Sequence, residues 1–173
     1  MKKIIFLTII TLLSNILLIG CTSQKSSQEP PKLTITIGDK GLQYVTAKNK
    51  WDGAIYDRKN TFQSILKEGS GIETPYFKFG KIVVINFKNN PPDKFTLSDI
   101  LIDKDGSKRY FTPIINIPFE IKDGKYSFEI KKNIEAELDS YFVLNMTYFR
   151  GYRITASWGQ NECEYAFIIK TDR

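Results

Sequence analysis

The sequence predicts a mainly all-β domain, an antiparallel two-sheet sandwich with one short helix. Three observations carry that expectation. Apolar residues recur at every second position in run after run, the runs are short, and turns built on Asp-Gly or Gly separate several of them. Period-two alternation sends successive side chains to opposite faces, as a sheet with one face in a core requires. Residues 33–173 are long enough to bury a single core.

Taken in order, Leu33, Ile35 and Ile37 share one face of a first strand, and further strand patterns run from Leu42 to Ala47, Ile82 to Phe87 and Phe95 to Ile102. One helix interrupts them. Asn60 or Thr61 serves as its N-cap, Phe62, Ile65 and Leu66 fall at i, i+3 and i+4, and Gly69 ends it, a span expected to plug one end of the sheets. The second half reads as hairpins. Lys104-Asp105-Gly106-Ser107 is a turn between two strands, and Lys122-Asp123-Gly124-Lys125 joins Phe119–Ile121 to Tyr126–Ile130, with Asp-Gly supplying the positive φ of a tight hairpin. From Tyr141 to Tyr148, Phe142, Leu144 and Met146 alternate with wetter positions. Tyr152, Ile154, Ala156 and Trp158 line one face of the next strand, Gly159-Gln160-Asn161 turns the chain, and Cys163–Ile169 returns it.

That closing pair, GYRITASW, a turn, then ECEYAFIIK, resembles the last hairpin of immunoglobulin-like and fibronectin-III-like domains. The resemblance implies a Tyr152 whose hydroxyl bonds back to the preceding corner, so that Tyr152→Phe would cost about 1 kcal/mol. Ile154 stands where true immunoglobulin domains carry a cysteine, and no intersheet disulfide is implied.

The N-terminus has a different character. Lys2 and Lys3 precede an apolar run from Ile4 to Ile19, the layout of a secretion signal, and at roughly 16 residues the run falls short of the 20 or so that cross a bilayer. The run ends in Leu18-Ile19-Gly20-Cys21, which resembles the lipobox of bacterial lipoproteins. The resemblance implies cleavage between Gly20 and Cys21 and a diacylglycerol thioether on Cys21, which would anchor the chain at the outer face of a membrane, since two acyl chains hold stably where one does not. Leader, polar tether and β-sandwich together resemble small lipoproteins of low-GC Gram-positive bacteria. The expected organisation is thus residues 1–20 as leader, 21–32 as lipidated N-terminus and tether, and 33–173 as the sandwich.

Composition narrows the chemistry. The formal net charge is +6, and loss of the leader with Lys2 and Lys3 leaves 23 basic against 19 acidic residues, a charge of +4. That is modest, and nucleic acid is not an expected partner outside the cell. Histidine is absent from the sequence, which removes Ser-His-Asp and Cys-His catalysis and histidine-ligated zinc. With Cys21 acylated, Cys163 has no partner and suits a small buried hydrophobe. Ser64-Ile65-Leu66-Lys67 matches S-x-x-K, yet Ser98-Asp99 is followed by Ile100 instead of Asn and no K-T-G occurs, so an exposed helix face is the plainer account. Asp103-Lys104-Asp105-Gly106-Ser107 resembles the start of a calcium loop without its later ligands. Carboxylates for glycoside cleavage could come from Asp99, Asp103, Asp105, Asp123, Glu162 and Glu164, but nothing pairs them at the needed separation. No metal, no cofactor and no catalytic residue is expected.

Phe149-Arg150-Gly151-Tyr152-Arg153 combines aromatics with arginines, a composition enriched in binding hot spots. As a projecting loop it would offer Phe149, Arg150 and Arg153 to a headgroup, an envelope polymer or an acidic protein. Trp51, before Asp52-Gly53, is either a core anchor or a contact residue. The expected function is a monomeric, non-catalytic binding or adaptor module at the cell envelope. The alternatives are a protective or immunity lipoprotein that captures a toxin, and a carboxylate-based hydrolase.

Overall fold

The computed structural model describes residues 29–57, 61–109, 115–138 and 146–172. The chain runs through β1 (Thr34–Ile37), β2 (Lys40–Leu42), β3 (Val45–Trp51), β4 (Ala54–Ile55), α1 (Thr61–Leu66), β5 (Ile82–Asn86), β6 (Lys94–Ile102), β7 (Ile115–Asn116), β8 (Glu120–Lys122), β9 (Lys125–Glu129), α2 (Ile134–Glu137), β10 (Tyr148–Trp158) and β11 (Asn161–Thr171). Two antiparallel sheets result, one in the order β2-β1-β5-β9-β8 and the other β4-β3-β11-β10-β6-β7. They pack face to face as the alternation predicts.

Inward-facing side chains fill the space between the sheets. Ile35, Ile37, Val83, Ile85, Tyr126 and Phe128 of the first sheet meet Leu97, Ile154, Tyr165, Phe167 and Ile169 of the second. Just past β5, Phe87 stands edge-on to Tyr126, Trp158 and Tyr165 with ring centroids 5.6–5.8 Å away, the geometry that ring quadrupoles favour. Trp51 is a core anchor, 3% exposed and edge-on to Trp158. Cys163 is fully buried in the same core.

The expected turns form. Asp123 (φ 51°) and Gly124 (φ 70°) both take left-handed backbone between Lys122 and Lys125, as a two-residue hairpin turn demands. Asp103 N–H donates to the Ser107 carbonyl and Ile102 bridges Lys108, so the Lys104–Ser107 turn is present, although only that bridge follows it within the described residues. Most of the expected Tyr141–Tyr148 strand lies outside the described residues. Tyr148 itself opens β10, which continues without a break to Trp158.

The helix forms where expected but does not plug an end. It lies on the outer face of the six-stranded sheet, where Phe62 and Ile65 bury against Ile100, Ile102, Ala166 and Ile168. Those residues point away from the inter-sheet core, so β6 and β11 are apolar on both faces and need a second cover. The continuous apolar runs Ile100–Ile102 and Ala166–Ile169 were the sign of it. The second helix, α2, packs its Ala136 with Leu101 of β6 and Tyr148 of β10. Asn133 caps α2, its side-chain oxygen accepting from the Glu135 and Ala136 N–H groups at 2.8 and 3.3 Å. A helix this short depends on its cap. Asn133→Ala should lower stability by about 1 kcal/mol in urea denaturation.

Candidate functional site

The expectation of a projecting loop at Phe149–Arg153 is overturned. These residues form the first half of β10, hydrogen-bonded to β6 on one side and β11 on the other. Alternation turns Arg150 and Tyr152 inward, and Phe149, Gly151 and Arg153 toward α1. Arg150 is 1% exposed. Its Nε donates to Asp99 Oδ1 at 2.8 Å and one terminal nitrogen donates to Asp99 Oδ2 and to the Lys131 carbonyl. Burial works against the guanidinium charge, but the hydrogen bonds and charge of Asp99 outweigh it and hold the Arg150 pKa above the ordinary arginine value. Arg153 Nε lies 3.1 Å from Glu164 Oε2, and its guanidinium sits over the Phe62 ring. Phe149 is half-buried beneath Lys170. An arginine beside aromatics reads the same in sequence whether it faces a partner or a buried carboxylate, and Asp99 is 51 positions away.

Beside this ion pair the sandwich opens. A cavity of about 420 Å³ lies between β6, β9, β10 and the link from β7 to β8. Asp99, Tyr152 and Phe128, whose ring packs on that of Tyr152 with centroids 5.1 Å apart, line it together with Ile117, Pro118 and Phe119, and charged side chains of both signs complete the lining. The volume falls in the range of small-molecule sites. Tyr152 is the feature that sequence reasoning misassigned. It sits in mid-strand, opposite Asp99 and Phe167, and not at a corner. Its ring stacks on Phe167 with centroids 5.1 Å apart, while its hydroxyl has no hydrogen-bond partner among the described residues. Burial first, then the Asp99 charge, push its pKa far above that of a free phenol. The hydroxyl therefore keeps its proton and is a donor on a residue that lines the cavity. With no bond to lose, Tyr152→Phe should leave stability nearly unchanged, in contrast to the corner reading.

The chain reaches the sandwich at the other lateral edge. Tyr165 hydroxyl donates to the Pro31 carbonyl, and the Tyr44 hydroxyl accepts from Leu33 N–H and donates to the Leu33 carbonyl. Glu29 pairs with Lys48 at 3.1 Å. These contacts fix residues 29–33 against the β1 and β3 side, whereas the cavity lies on the β6 to β9 side.

No protein family matches the chain, and no curated protein or solved structure does either.

The remaining candidates fall elsewhere. Gly20 and Cys21 lie outside the described residues. Ser64 is exposed and donates to the Thr61 carbonyl, a bond within the helix that leaves it no base. Asp105 accepts from both the backbone and the hydroxyl of Ser107, and these bonds hold its carboxyl below the usual range. Among the carboxylates, Asp99 is bound to Arg150, Glu164 to Arg153 and Glu162 to the Asn49 amide, while Asp123 sits in the hairpin turn. Among the described residues, no three acidic or cysteine side chains converge as a metal site would require.

Proposed function

We propose that this protein is a lipid-anchored module of the cell envelope that binds, without catalysis, a small ligand in the cavity above Tyr152. The observation that carries the reading is the Tyr152 hydroxyl, which has no hydrogen-bond partner among the described residues, on a strand that lines a cavity of about 420 Å³. Rigid strands position such a group better than a loop would. The anchoring half rests on Lys2, Lys3, the apolar run and Gly20-Cys21.

The two halves fit one another. Seven residues lie between Cys21 and Glu29, eight Cα steps with an extended reach of about 27 Å. A lipid on Cys21 would hold the β1 and β3 edge near the bilayer and leave the cavity edge turned to the aqueous side. A ligand could then approach from the wall or medium without crossing the headgroups.

Cys21→Ala is expected to abolish labelling of the chain by a fatty-acid analogue in a bacterial host and to release it from the membrane fraction. Labelling that persists in the Ala variant would place the lipid elsewhere and remove the anchoring half.

A further inference from the structure

We infer that the cavity takes an uncharged saccharide of one or two rings. The inference rests on the cavity being the ligand site, and it follows from charge, lining and the Tyr152 hydroxyl.

Charge comes first. Both oxygens of Asp99 are engaged by Arg150, so this pair is satisfied from within and presents no free charge to a ligand. Lys131, Lys132, Glu120 and Glu129 also line the cavity, two charges of each sign, with Lys132 lying 3.5 Å from Glu137. With two charges of each sign in the lining, neither an anion nor a cation gains a net attraction to offset its desolvation. A neutral molecule escapes that penalty.

The lining is also part apolar and part polar. Ile117, Pro118 and Phe119 supply apolar surface to it, and Tyr152, whose ring packs on Phe128, supplies a phenol hydroxyl. A pyranose ring has the matching division, with C–H groups on one face and hydroxyls around its rim. Its C–H face can pack on the rings through dispersion and weak C–H contacts. A sugar hydroxyl can accept from Tyr152, making a bond that no described residue makes. Specificity would come from that bond, because a buried donor left unpaired penalises ligands with no acceptor to offer.

The test uses the full-length chain in detergent micelles, titrated by calorimetry and followed by saturation-transfer NMR. Cellobiose and N,N′-diacetylchitobiose are the neutral probes, and decanoate is the anionic amphiphile. Saturable binding of a disaccharide is expected, weakened about three- to tenfold in Tyr152→Phe at an unchanged melting temperature. Disaccharide binding that Tyr152→Phe leaves untouched would move the site away from this cavity and overturn the inference. Binding of decanoate alone would overturn the saccharide class while leaving the cavity as a ligand site. Binding of none of the three would remove both. The comparison of probes on the unaltered chain decides the class even if the variant folds poorly.

Discussion

Asp99→Ala is expected to destabilise the domain by about 3–5 kcal/mol, because it strands a guanidinium that is 1% exposed and bound to that carboxylate. The remaining acceptors, the Lys131 carbonyl and the Thr171 hydroxyl at 3.4 Å, carry no compensating charge. Domains of this size have total stabilities of about 5–15 kcal/mol, so the change should be plain in urea denaturation. The opposite result should come from replacing both partners, Asp99→Leu with Arg150→Met, since apolar groups of similar volume remove the charge and its desolvation together. Recovery of most of the lost stability in the double variant would show that the single change acts through the uncompensated arginine. A loss below about 1 kcal/mol in Asp99→Ala would mean that water from the adjoining cavity solvates Arg150 as well as Asp99 does.

Gly106→Ala should cost about 2–4 kcal/mol, for two reasons that add. Its φ of +83° suits glycine, and a Cβ there would fall 2.6 Å from the Gln63 backbone nitrogen and 2.7 Å from its Cα. Backbone cannot step aside as the end of a side chain can, so α1 must shift off the sheet or the turn must open. Amide hydrogen exchange should rise in α1 before the core strands. Gly124→Ala provides the comparison, with a φ of +70° but open space around its Cβ, and should cost only about 1 kcal/mol. Equal losses at the two positions would show that backbone conformation alone sets the effect and that the contact with α1 carries none of it.

What could be read from the sequence was the local pattern. Leu33, Ile35 and Ile37 alternate into the core, and Asp123-Gly124 turns the chain, because each depends on neighbours a few positions away. The β10–β11 hairpin was legible for the same reason, with Trp158 and Asn161 paired across two turn residues. Tertiary pairing was not. Arg150 looked like a surface residue because nothing local reveals that Asp99 will arrive beside it, and Tyr152 looked like a corner residue because the strand was expected to begin there. The outward apolar faces of β6 and β11 were visible as unbroken runs, but which element would cover them depended on where the helix packs. The cavity was invisible, since its lining is gathered from segments spread between Ile82 and Tyr152.

The tyrosine contacts at residues 31–33 also determine how the domain carries load. Tension on the segment before Glu29 would load the exposed Glu29–Lys48 pair and then the Tyr165 and Tyr44 hydroxyls that hold the Pro31 and Leu33 backbone, ahead of the four-residue β1 ladder. Both rings are braced by their edge-to-face contact, 5.8 Å between centroids, so the force passes into β11 at the centre of the larger sheet. The cavity, lined from β6, β9 and β10, is not among these contacts. Were the chain held from that side, the pull would enter the sandwich away from the cavity.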